Sequence, residues 1–167
     1  HHICEIAEML YSLLQDEFTF IATETELDVK KEFHRGYAFF QAKRLPTNQY
    51  TWYSSVVDEE SKIRCQEIID TSDVVIIANT SDTWVQKRLK CKKLTFRAHE
   101  RWYKKHLFWY RYPRAYLGGW LHHRRFSSLY MLCASAYTAA DVNKIGCFVG
   151  KTYCWGYFPK QIGRAHV

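Results

Sequence analysis

The sequence predicts an α/β protein, a Rossmann-like parallel sheet with helices on both faces. Strand-length apolar runs alternate with amphipathic helical stretches, and the polar breaks between them are mostly short. The run DVVIIA at 73–78 is continuously apolar after its first residue, the pattern of a central parallel strand covered on both faces. Parallel neighbours need crossover connections, and helices supply them.

Ile3, Ile6, Leu10, Leu13 and Leu14 recur at helical spacing, so 1–16 reads as a helix. FTFIA at 18–22 follows as a strand, and 23–36 is polar loop with a short helix. Pro46, Thr47 and Asn48 form a turn before a second strand, QYTWYS at 49–54. Asp58 is placed to cap a helix over 58–71, with Glu59 and Glu60 in its first turn and Ile63, Ile68 and Ile69 on its core face. After the 73–78 strand come a helix at 83–90, a strand at 94–97, a strand at 129–134 and a helix at 138–144. In such sheets ligands lie beyond the carboxyl ends of the strands, which directs attention to 23–25, 79–81, 98–101 and 135–137.

The chain has 167 residues, is 47% hydrophobic and 17% aromatic, and carries a net charge of +7. That composition fits one folded domain and excludes a disordered or low-complexity chain. No apolar stretch approaches the roughly 20 residues a bilayer span needs. Charge is segregated: 1–83 holds 7 Lys/Arg and 15 Asp/Glu, whereas 84–126 holds 13 and 1. A basic block of this kind suits phosphate or anionic lipid. Six scattered cysteines, several in apolar runs, suit buried thiols in a reducing, cytoplasmic compartment better than a disulfide framework. QIGRAHV at 161–167 reads as a translated sequencing adapter, leaving 1–160 as the natural part.

Neither a GxGxxG nor a GxxxxGK[ST] motif occurs, which removes most support for a dehydrogenase or a P-loop NTPase. The adjacent pairs His1-His2 and His122-His123 lack metal-ligand spacing. His1 and His2, at the start of the first helix, are either contacts for an acceptor hydroxyl or solvent-facing residues. Cys133 ends a strand without the glycines of a nucleophile elbow and reads as core. His99, Glu100 and Arg101 follow the fourth strand: a carboxylate there can accept a hydroxyl and an arginine can bind phosphate, or the two charges can serve structural ion pairs. Ten aromatics between Phe96 and Phe126 are interleaved with cations. Trp102, Lys104, Lys105, Trp109, Arg111, Arg114, Trp120, Arg124 and Arg125 fit the headgroup zone of an anionic membrane, in preference to single-stranded nucleic acid, with a core-facing stripe as the plain alternative.

DVVII (73–77), KLTF (93–96), ERWYK (100–104), LCASAY (132–137), Asp141 and KTYCWGYF (151–158) together resemble bacterial glycosyltransferases of the family-4-like group. The resemblance covers most of 1–160 and implies the acceptor-side half of a GT-B enzyme, with the first strand and the donor domain outside the chain. It implies no cofactor and no metal. The nucleotide sugar would be bound mainly by the other half, and this half alone would not transfer sugar. The acceptor would be a glycan or lipid-linked glycan of surface polysaccharide synthesis, met at the inner face of the cell membrane. By the same resemblance Glu100, Arg101, Ser135 and Tyr137 fall in cleft-side loops; the strand-end positions Asn79, Thr80 and His99 and the helix-start pair His1 and His2, read from the residues themselves, complete the candidate acceptor-binding set.

Overall fold

The computed structural model describes residues 2–22, 52–54, 59–78, 80–102 and 109–156. The turn expected at 46–48, the loop at 23–36 and the tail at 161–167 lie outside them. Contacts divide the chain into two compact units, one of 1–65 with 157–167 and one of 66–156.

In the first unit, α1 (His2–Leu14) runs into a 3-10 turn at Gln15–Glu17 and then β1 (Phe20–Ala22), which pairs in parallel with β2 (Trp52–Ser54). Ala7 is buried on α1, whereas Leu13 and Leu14, assigned from spacing to its core face, are exposed. They occupy the last turn, where the apolar stripe outruns what covers it. Helix α2 spans Glu59–Thr71, its residues 59–65 counted with the first unit and 66–71 with the second. Its Ile69 is buried, but Ile63 is exposed, which corrects its placement on the core face.

The second unit is built on a four-stranded parallel sheet ordered β3 (Val75–Ile77), β4 (Thr95–His99), β5 (Leu129–Cys133), β6 (Thr152–Cys154). The α/β class with a parallel, helix-flanked, Rossmann-like sheet is thus observed. The position of the 73–78 strand is not as expected: β3 ends the strand order, and Val74 and Ile76 on one of its faces are exposed. An uninterrupted apolar run shows that neither face carries charge, which is a weaker condition than both being covered. Of the two interior strands, β4 and β5, the better covered is β5, where Leu129, Met131, Leu132 and Cys133 are all buried.

A 3-10 turn (Asp82–Val85) leads into α3 (Gln86–Lys90) between β3 and β4. Between β4 and β5 lie α4 (Tyr112–Gly119) and a π-helical turn (Trp120–Arg124), and α5 (Thr138–Lys144) joins β5 to β6. Val85, Leu89, Val142, Ile145, Cys147 and Phe148 join the β5 side chains in the core. Both α3 and α5 close with the same pair of terminal hydrogen bonds. Lys93 N–H reaches Arg88 C=O and Lys92 N–H reaches Leu89 C=O; Cys147 N–H reaches Val142 C=O and Gly146 N–H reaches Asn143 C=O. The residue this motif holds at positive φ is Gly146 in one case and Lys92 in the other. Gly119 answers to space instead, since a Cβ there would run into Cys147 Sγ, which is buried and cannot swing away.

One side chain organises the base of this unit. Arg88 is fully buried and uses all five of its N–H groups: Nε donates to Thr95 Oγ1, Nη1 to the carbonyls of Ile69 and Ser72, and Nη2 to those of Asp73 and Leu94. These acceptors lie at the end of α2 and at the entries to β3 and β4. The rigid fork of a guanidinium is what lets one residue hold three chain segments together.

Candidate binding site at the strand ends

Because β3, β4 and β5 run in the same direction, the segments that follow them share one end of the sheet. Thr80 follows β3, Glu100 and Arg101 follow His99 at the end of β4, and Ser135 and Tyr137 follow β5. Six of the nine expected acceptor residues are therefore brought to one end of one sheet. Asn79 and His1 lie outside the described residues, and His2 opens α1 in the other unit.

Arg101 is fixed from two sides. Its Nε donates to Asp141 Oδ2 at 2.9 Å, and its guanidinium lies 4.8 Å from the centre of the Tyr137 ring. Asp141 is buried in the first turn of α5. Its hydrogen bond is the main reason the Arg101 guanidinium is held above its ordinary range, with partial desolvation acting in the opposite direction. Tyr137 is set by a short turn in which its N–H donates to Ser135 Oγ at 3.3 Å, while its ring stays exposed. The partner of Arg101 is thus a residue 40 positions away and not its neighbour Glu100.

Beside this pair is a cluster of rings. His99 and Trp102 meet edge to face at 6.1 Å, Trp102 and His123 lie 5.0 Å apart, and Phe148 contacts both Trp102 and His123. Trp102, grouped by sequence with the membrane-facing residues, is half-buried here. Burial, reinforced by repulsion from Arg97, His122 and His99, pushes the His123 imidazole down to about 3, so it is neutral across the physiological range. Arg97 is buried on β4 and paired with Asp82, whose 3-10 turn is capped by Ser81 Oγ. Desolvation lowers the Arg97 guanidinium, which nonetheless keeps its proton. Among the described residues, Arg97 Nε and His123 Nδ1 are buried without a hydrogen-bond partner.

Chemically, Arg97 within β4 and Arg101 beyond its end are already committed to carboxylates, which disfavours a bare phosphate clamp. What remains on offer is the exposed Tyr137 ring, the hydroxyl of Ser135 and the imidazole of His99. That combination suits a ligand with hydroxyls and an apolar face. Among the described residues no three His, Cys, Asp or Glu side chains gather as a metal site.

Asp82, Arg97, His123 and Asp141 were missed from sequence as parts of this region. In the sequence His123 reads only as half of a histidine pair, and Arg97 only as the end of a strand. No spacing rule joins residues 82, 97, 123 and 141; the sheet does. The remaining residues expected at a membrane divide in two. Trp109, Arg111, Arg114, Trp120, Arg124 and Arg125 are exposed on the 109–125 segment, whereas Lys104 and Lys105 lie outside the described residues. Among the described residues no helix is long and apolar enough to cross a membrane. Comparison of the chain with protein-family models, with curated proteins and with solved structures gave no match in any of the three.

Proposed function

We propose that the strand-end region of the 66–156 unit binds a saccharide acceptor, and that the chain is the acceptor-side half of a glycosyltransferase of the GT-B kind. The observation that carries this reading is the convergence of Tyr137, Arg101, Ser135 and His99 at the carboxyl ends of parallel strands, the customary ligand position in open α/β sheets. An exposed aromatic ring stiffened by a stacked guanidinium offers a flat apolar face to a sugar ring. The neighbouring hydroxyl and imidazole offer hydrogen bonds to its hydroxyls. The sequence likeness to family-4-like glycosyltransferases supports the same reading. In this scheme the chain positions the acceptor hydroxyl, and a separate half supplies the nucleotide sugar.

A glycan array of neutral and anionic bacterial oligosaccharides, probed with the full chain, tests the proposal. Binding to a restricted set of glycans is expected, weakened at least about 10-fold by Tyr137→Ala, in the range of one lost stacking and packing contact. Absence of glycan binding alongside tight, salt-sensitive binding to single-stranded oligonucleotides would replace it with a nucleic-acid reading.

A second reading, of location, is favoured by the 109–125 segment. Trp109 is 82% exposed and Trp120 45%, and Tyr110, Tyr116, Leu117 and Leu121 are exposed as well. Arg111, Arg114, Arg124 and Arg125 stand among them with no acid in the segment. We propose that this surface rests on an anionic bilayer, rings at headgroup depth and guanidiniums on lipid phosphate. The chain is expected to sediment with phosphatidylglycerol vesicles and not with phosphatidylcholine vesicles. Trp109→Ala combined with Arg111→Ala should reduce the bound fraction severalfold.

A further inference from the structure

We propose that Cys133 and Cys154 form a reversible disulfide joining the last residue of β5 to the last residue of β6. The two are in-register partners on neighbouring parallel strands, so their side chains leave the sheet on the same face. Both are free thiols; Cys133 is buried and Cys154 exposed. Adjacent strands lie about 4.8 Å apart, inside the Cα separation of about 4.4–6.8 Å that a disulfide spans. The thiols are also close enough that a charge on Cys154 helps burial to raise the Cys133 thiol.

Aligned positions on parallel strands stand somewhat further apart at Cβ than the roughly 3.8 Å a relaxed disulfide prefers, so the strands must draw together at this pair. Strand β6 permits that. It has three residues, it ends the strand order, and Cys154 is its last position. The adjoining backbone is already in place, with Trp155 N–H donating to Cys133 C=O at 2.9 Å. A bond closed under mild strain is more easily reduced than a relaxed one, which makes this pair a reversible link.

The exposed thiol starts the reaction. Cys154 loses its proton to solvent and attacks one sulfur of a small-molecule disulfide, forming a mixed disulfide and releasing one thiolate, which takes up a proton. Cys133 then loses its proton and attacks the Cys154 sulfur, expelling the second small thiolate, which is protonated in turn. Two protein thiols are oxidised and one external disulfide is reduced to two thiols. The link sits directly before Ala134–Tyr137, so it anchors the base of the segment that carries Ser135 and Tyr137 to the neighbouring strand. The proposal stands whether or not a saccharide binds there.

The test uses the full chain, reduced, desalted and incubated with oxidised glutathione, then alkylated and digested with trypsin without reduction. Residues 126–144 and 152–160 are single-cysteine tryptic peptides, so the link is read directly. The expected product is the two peptides joined, lighter by two hydrogens than the free pair, from monomeric protein. Cys154→Ser should leave Cys133 reduced, and Cys91→Ser should leave the link unchanged. Glutathione retained on Cys154 while Cys133 stays alkylated, or Cys154 joined to another cysteine or to a second chain, would overturn the proposal.

Discussion

Replacing Arg88 with methionine is expected to destabilise the 66–156 unit by about 4 kcal/mol, a large share of the 5–15 kcal/mol by which small domains are stable. Methionine fills much of the same volume but donates nothing. The carbonyls of Ile69, Ser72, Asp73 and Leu94 and the hydroxyl of Thr95 would all lose the guanidinium at once. Each buried acceptor left unpaired costs about 1–3 kcal/mol, moderated where water can follow. Arg88→Lys should recover little, because an ammonium has three donors on a flexible stem and cannot span acceptors on three chain segments. Burial already lowers the Arg88 guanidinium, and a buried lysine in its place would shed its proton and with it most of the interaction. Urea unfolding followed by circular dichroism measures the loss. Lys87→Met is the control: its ammonium is 75% exposed, and the largely buried Asp70 carboxylate it meets keeps its hydrogen bond from Gln66, so its midpoint should move far less. Equal losses for the two variants would show that the buried fork does not hold the segments together.

Arg88 also shows where sequence reading reaches its limit. It stands in a run of basic residues, QKRLK, with nothing to distinguish it from Lys87 or Lys90. Its burial follows from the turn before β4 folding back over the end of α2, which is a tertiary event. Elements whose signal is local were legible. Helix α5 has the bounds expected of it, β1, β4 and β5 lie within two residues of theirs, and β2 starts three residues later than expected. Helix α4 and the π turn were not found, because aromatics and arginines alternate there without an apolar stripe and Gly118 and Gly119 interrupt the run. The reason for Gly119 lies 28 residues further on, at Cys147. Strand β6 is three residues long, too short for alternation to register. The candidate site follows the same division. That ligands belong at the strand ends could be read from the strand pattern, so Thr80, His99, Arg101, Ser135 and Tyr137 were named. That Arg101 answers to Asp141, and that His123 is driven neutral beside Arg97, depends on which loops the sheet brings together.

That neutral histidine predicts how the fold responds to acid. His123 titrates near 3 when folded, against an ordinary 6.5. Above pH 6.5 it is uncharged in both states and contributes no pH dependence. Between pH 6.5 and 3 the unfolded chain binds a proton that the folded chain refuses, so stability falls as pH falls, by at most about 1.4 kcal/mol per pH unit. At pH 5 the loss from this group approaches about 2 kcal/mol. His123→Phe keeps a ring against Trp102 and Phe148 and removes the titration together with the unpaired Nδ1. The variant should match or exceed the parent at pH 7, and its advantage should widen steadily to pH 5 and below. Other groups add their own acid dependence to both proteins, so the difference between the two urea-unfolding curves isolates His123. If that difference stayed constant from pH 7 to pH 4, the imidazole would have to be accepting its proton within the folded cluster. Repulsion from Arg97 would then be relieved by its pairing with Asp82, and the ring cluster would be open to water where burial now keeps His123 neutral.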